Sequence, residues 1–241
     1  VIVVDCDQGT PEWHAARAGV ITASMFSTAR KYKAGGEMSE TAKNYAFKLA
    51  IERISGVPLD ECHQTWQMTR GQRLEPEARD HHMADIGRRV KQVGLVLSDD
   101  RKFGASADGA IDGDPQGPGG AEYKCLVSPL ELRKVYTEND YMKFYDQVMG
   151  GLWLTGKNWW DFCVYCPAMR NVNKHFRRWR IRRDDDYIDA MSLDLVAFDN
   201  LVESYRATLM IEADPAVMEA AAATLDPLSR ALLIPPGISV M

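Results

Sequence analysis

The chain has 241 residues, enough for one sizeable core and short for two full domains. Its 34 acidic and 29 basic side chains leave a net charge of −5, which excludes a protein that binds polyanions over its whole surface. Hydrophobic residues make up 46%, ordinary for a globular protein, and no apolar run approaches the roughly 20 residues that would span a bilayer.

In chain order, the opening "VIVV" is too short for a signal-peptide core and has no basic residues before it. The chain does not begin with Met, so some further N-terminal sequence is an expectation. Five scattered cysteines point to a reducing compartment, with a cytoplasmic location expected. "TAKNYAFKLAIERIS" (41–55) has helical spacing and stops at Gly56 and Pro58. "GQRLEPEARDHHMADI" (71–86) predicts a second helix, its start placed near Glu75 by Pro76 and its end by Gly87.

Three strands are expected next: 89–98, 102–111 and 121–127. The loop "DGDPQGPGG" (112–120) turns the last two into a hairpin. Helices are predicted over 128–136 and 141–154, strands over 159–166 and 174–183, and a long helix over 186–211. This order predicts an α/β fold, a small central mixed sheet flanked by helices. It is read as one domain over 1–241, with a helical tail from about 212.

On the third strand Glu122 and Lys124 share a face, because side chains at i and i+2 do. The hairpin sets Asp108 of "SADG" opposite them. Carboxylates held close repel unless a cation lies between them. Mg²⁺, or Mn²⁺ in its place, suits such oxygen ligands, and the Tyr123 carbonyl could add one more. Such a metal serves phosphodiester hydrolysis, and Lys124 could orient water or stabilise charge. E-x-K by itself reads as an exposed same-face ion pair worth about 0–1 kcal/mol; the D-G pair, the Gly- and Pro-rich loop and the strand together carry the metal-site reading.

More motifs stand in order along the chain. "WHAAR" (13–17) precedes "GVITAS" (19–24), and "RGQRLEPEAR" (70–79) precedes "SADG", "EYK" and "YDQVMGGLWLTGKNWWDFCVYCP" (145–167). Together they resemble the λ-exonuclease family, the YqaJ-like viral recombination nucleases of the PD-(D/E)XK superfamily, over about residues 12 to 183. Ala107 stands where the superfamily name has Pro, a position that shapes backbone and cannot ligate metal.

The resemblance implies a restriction-endonuclease-like core and a Mg²⁺-dependent exonuclease. Such an enzyme digests linear duplex DNA 5′ to 3′ and leaves a 3′ single strand for phage-type recombination. It implies a ring-shaped homotrimer around DNA ends, with a single-strand annealing protein using the product. Asp108, Glu122 and the Tyr123 carbonyl would hold metal, Lys124 would be the catalytic lysine, and Glu75 and Gln147 would join the site. Arg17, Ser24 and Ser106 would hold the 5′-phosphate of the digested strand, chemistry suited to a guanidinium fork and two hydroxyls. Met68 falls where the family places an apolar wedge between the strands, though a core Met reads as well.

Other features bear on DNA. Lys31 and Lys33, with Arg30, form a basic loop that could track a duplex or simply be solvated. Phe176, Arg178, Arg180 and Arg182 would share one face of an edge strand, lining a phosphate channel or guarding the edge against aggregation. Cys163 and Cys166 have zinc-like spacing without a second pair, so zinc is not expected. His81 and His82 diverge on their helix and cannot share a metal. A structure-specific endonuclease with the same acids, or a DNA-binding module with a dead core, are the competing functions.

Overall fold

The computed structural model describes residues 1–59 and 65–211. The expected tail from about 212, with its "LDPLSRALLIPP" segment, lies outside the described residues.

Two mixed sheets form, where one was expected. The first has the order β1 (Ile2–Val4), β4 (Leu95–Leu97), β5 (Phe103–Ala105), β2 (Ile21–Thr22), with only the β5–β2 pair parallel. The second runs β3 (Val90–Lys91), β6 (Gly109–Ile111), β7 (Gly119–Lys124), β8 (Trp159–Tyr165), β9 (Phe176–Arg182), with only β7–β8 parallel.

The predicted strands 89–98 and 102–111 each break in two, and each serves both sheets. Gly94 marks the first break: a Cβ there would lie 2.3 Å from the Val4 carbonyl oxygen, so the backbone passes where no side chain fits. The second break is Ser106–Ala107–Asp108, between β5 and β6. The hairpin between β6 and β7 forms as expected, with Gly109 opposite Ala121 and Ile111 opposite Gly119.

Helix α1 (Pro11–Ala16) and the short α2 (Phe26–Ala29) flank β2. Helix α3 (Glu40–Ser55) ends on left-handed Gly56, the expected stop, and is capped by the Ser39 side chain. Helix α4 (Trp66–Ile86) starts earlier than expected: Thr65 caps it through Met68 N–H, and Pro76 lies inside it. Proline within a helix removes one backbone hydrogen bond and crowds the preceding turn, which disfavours a helix without forbidding it. Helix α5 (Pro129–Arg133) runs on into a wider turn, and α6 (Tyr145–Thr155) and the long α7 (Asp185–Met210) follow prediction closely.

Alternation along the second sheet fixes what each face meets. Trp160, Phe162 and Val164 of β8 join the larger core with residues of α3, α6 and α7. Tyr123, Trp159, Cys163 and Tyr165 face the other way, into a smaller core with Ala78 of α4. Trp153 packs partly buried against the larger core and Trp159 and Trp160 are buried, so these three are packing residues. Among the described residues, no helix is long and apolar enough to cross a membrane.

Candidate active site

The site grows from the break between the two sheets. After Ala105 the chain leaves β5, and Ser106 and Asp108 sit in the crossing before β6 begins at Gly109. Asp108 is held from both ends. Its N–H donates to the Ala121 carbonyl at 3.1 Å, and its Oδ2 accepts from the Tyr123 N–H at 2.7 Å. The N–H and C=O of one strand residue point to the same side. The Tyr123 carbonyl therefore also points past the end of β6, towards Asp108.

Glu122 and Lys124 project together on the face that meets α6, as their spacing required. Lys124 Nζ donates to Glu122 Oε1 at 2.8 Å and to Gln147 Oε1 at 2.9 Å, and Gln147 Nε2 donates to the same Glu122 oxygen at 2.6 Å. Gln147 lies in the first turn of α6, so the β7–β8 crossover brings its side chain to β7. Glu75 approaches from α4, paired with Arg79, whose guanidinium also donates to the Asp108 carbonyl at 3.2 Å.

The electrostatics show three carboxylates crowded together. Burial, then Glu122 and Glu75, push the Asp108 carboxyl well above its usual range. Burial raises Glu75 too, with Glu122 adding to it and Arg79 opposing. Burial alone would lower the Lys124 ammonium, but Glu122 and Asp108 outweigh it, and the net shift is upward. Crowded acids with one lysine suit a hard divalent cation, which would relieve the repulsion. Among the described residues no three His, Cys, Asp or Glu side chains close into a metal cage. Mg²⁺ does not need one, since it takes one or two carboxylates and keeps several waters.

One cavity of about 140 Å³ joins this acid group to the expected phosphate group; Asp108, Glu122 and Gln147 line it together with Arg17, Ser24 and Ser106. Arg17 lies beyond the end of α1, its guanidinium 3.9 Å from the centre of the Trp13 ring and donating to Thr22 Oγ1 at 3.3 Å. Thr22 Oγ1 in turn shares a hydrogen bond with Ser24 Oγ. Burial lowers the Arg17 guanidinium, with Tyr45 and Glu52 opposing.

Trp13 was missed by the sequence reading. Its Nε1 donates to Ser106 Oγ at 3.0 Å, which leaves the serine's own O–H free for another acceptor. Gln8 was missed as well; it lines the cavity and donates to the Ala107 carbonyl at 2.8 Å. "WHAAR" held the first signal; nothing local marked Gln8.

The other residues expected to meet DNA lie outside this cavity. Met68 is 54% exposed in the first turn of α4, which rules out the core reading. Lys31 and Lys33 are exposed, but Lys33 pairs with Glu40, and Arg30 turns inward to Asp146 and Asp194. The expected arginine face is turned away from the acid group. Register puts Arg178 and Arg180 on the face of Cys163 and Asp161, opposite to Glu122 and Lys124. Both are neutralised there: Arg178 by Asp85 and Asp161, Arg180 by Asp161 and Asp114. His82 is buried between Tyr123 Oη and Asp161, and Cys163 and Cys166 are free thiols.

Two sheets flanked by helices, with carboxylates gathered at a strand end, define a core of the PD-(D/E)XK type. Solved structures agree. An alkaline exonuclease from Laribacter hongkongensis is 29% identical, with 84% of this chain and 97% of that one covered at a TM-score of 0.71. The same enzyme in complex with dAMP gives a TM-score of 0.72 at the same identity and coverage. A phage-related exonuclease from Haemophilus somnus 129PT, 14% identical, covers 79% of this chain and 96% of that one at a TM-score of 0.63 and shares the fold. No curated protein matches the chain.

The YqaJ-like viral recombinase domain matches residues 12–158, and the chain belongs to that family. Family and fold together make it a nuclease of the recombination type.

Proposed function

We propose that this nuclease is a Mg²⁺-dependent 5′-to-3′ exonuclease on linear double-stranded DNA, releasing 5′-mononucleotides. The observation that carries the reading is the single cavity shared by Asp108 and Glu122 with Arg17, Ser24 and Ser106. An acidic site beside a pocket built for a phosphate dianion suits cleavage counted from a strand end better than cleavage within a closed duplex. The Laribacter hongkongensis neighbour was solved with dAMP, a mononucleotide of the class released here.

In this reading Asp108, Glu122 and the Tyr123 carbonyl hold the metal, with Glu75 beside them. Mg²⁺, when bound, supplies Lewis acidity to the phosphoryl oxygens and to the attacking water. Lys124, fixed between Glu122 and Gln147, orients that water and balances charge growing on the phosphoryl group. Water attacks phosphorus in line and the 3′ oxygen leaves. Arg17, with Ser24 and Ser106, holds the 5′-phosphate and sets the distance to the first scissile bond. Backbone contacts suffice, so sequence preference is weak. A ring-shaped trimer, action inside a bacterial host cell and delivery of the 3′ strand to an annealing protein complete the reading, on the strength of the family.

The test is digestion of linear duplex labelled at one 5′ or one 3′ end, with and without Mg²⁺, beside closed circular DNA. Release of the 5′ label first, only with Mg²⁺ and only from linear DNA, is expected. Equal cleavage of closed circles would overturn the exonuclease reading.

A further inference from the structure

The turn that carries Arg17 into β2 passes through Gly19, which has φ +71°. Both sides of Gly19 are gripped by two consecutive residues of the last turns of α3. Its N–H donates to Glu52 Oε2 at 2.9 Å, and its carbonyl accepts from Arg53 Nε at 2.9 Å. The fit leaves no room for a side chain: a Cβ on Gly19 would lie 2.6 Å from Arg53 Cγ.

Both gripping side chains are themselves buried and anchored. Glu52 is 4% and Arg53 7% exposed. Glu52 Oε1 accepts from Leu59 N–H at 3.0 Å. Arg53 NH1 reaches Asp199 at 2.7 Å and Glu203 at 2.8 Å on α7, and Asp199 also takes Lys102 Nζ at 2.6 Å. Lys102 closes the circuit through its carbonyl, which accepts the Ile21 N–H at 2.9 Å. A charged pair this deep is a costly way to hold an ordinary turn. Its reach is specific: Val20 N–H bonds the Arg17 carbonyl at 3.1 Å, so a fixed Gly19 fixes the backbone on both sides of it.

We infer that Glu52 and Arg53 are positioning residues for end recognition, clamping the Gly19 turn so that Arg17 stands at the phosphate end of the cavity. The inference rests on the reading of Arg17 as the 5′-phosphate ligand. The clamp never touches DNA. It acts by denying the Arg17 turn alternative positions, and so it governs discrimination between phosphorylated and hydroxyl ends.

The test is the ratio of initial digestion rates on duplexes with 5′-phosphate and 5′-hydroxyl ends. A ratio taken within one preparation cancels any loss of folded enzyme. Two variants approach the clamp separately. Glu52→Gln keeps the size but has one carbonyl oxygen for two N–H donors. Arg53→Lys keeps a cation for Asp199 but has no Nε donor for the Gly19 carbonyl. Both are expected to lower the ratio by about tenfold, the effect of losing one hydrogen bond to a charged group, and Arg17→Ala to lower it at least as far. If Arg17→Ala lowers the ratio while both clamp variants keep the wild-type value, the inference is overturned and the Arg17 reading stands. If the wild type has no preference for phosphorylated ends, the Arg17 reading fails and the clamp has nothing to position.

Discussion

The Tyr123 N–H donates to Asp108 Oδ2 at 2.7 Å, so the strand that carries Glu122 and Lys124 also fixes the carboxylate opposite them. Asp108 is thereby tied to the backbone of the strand that carries Glu122. The hairpin thus sets the spacing of the two carboxylates before any cation arrives, and that rigidity underlies the first two expectations.

Lys124→Ala should lower Mg²⁺-dependent nucleotide release by roughly 10²–10³-fold, the usual effect of losing one transition-state donor. Duplex binding should survive, because Lys124 lies among the acids and not on an outer surface. Nucleotide release by acid-soluble counts, beside a gel-shift titration, checks both halves. Unchanged release would favour a module whose nuclease core is dead.

Mg²⁺ should stabilise the wild type. At a hundredfold excess over Kd the gain is about 2.7 kcal/mol, or roughly 5–10 °C in Tm for a chain of this size. Asp108→Asn keeps an acceptor for Tyr123 N–H but loses a charge, so its Tm should hardly respond to Mg²⁺. Thermal melts over a metal titration, with chelator as the zero point, decide this. An equal response in both proteins would remove Asp108 from the ligand set.

Ser106→Ala should lower the preference for 5′-phosphate ends and leave the Tm close to wild type. The serine gives the Trp13 indole an acceptor in a half-buried position, and its own O–H is free for the phosphate. Competition between 5′-phosphate and 5′-hydroxyl duplexes in one tube measures the preference. A preference equal to wild type would mean that the hydroxyl faces no phosphate.

Asp161 offers a stability test away from the site. Burial alone would raise its carboxyl, but His82, Arg180 and Arg178 outweigh burial and hold it below the ordinary value of 3.8. A depressed folded pKa means that the carboxylate stabilises the fold above that value and loses the effect as pH falls through the folded pKa. Asp161→Asn should therefore cost about 3 kcal/mol at pH 7, as when one partner of a buried pair is removed. The difference from wild type should shrink below pH 3.8. Urea melts at neutral and acid pH would show it, and a gap that persists in acid would place the cost elsewhere than charge.

Legibility followed the range of the interactions involved. Register across strands lies beyond any local pattern. Spacing placed Arg178 and Arg180 on a common face, but only pairing through β8 shows that this face is the reverse of the one bearing Glu122. Pro76 suggested a helix start because a missing N–H is harmless in a first turn; Thr65 capped the helix earlier. Gly94 was one glycine in an apolar run until Val4 crossed it.

The sequence by itself determined the local facts: a helix over 41–55 stopped by Gly56, the β6–β7 hairpin, and the shared face of Glu122 and Lys124. These depend on caps, turn residues and a period of two, all settled within a few residues. Tertiary structure alone decided that Asp108 meets β7 side chain to backbone, that Gln147 bonds both Glu122 and Lys124, and that Arg17 opens into the same cavity as the acids. Those contacts join segments far apart in the chain, and their distances are fixed by the packing of two sheets and the helices that flank them, which no local pattern encodes.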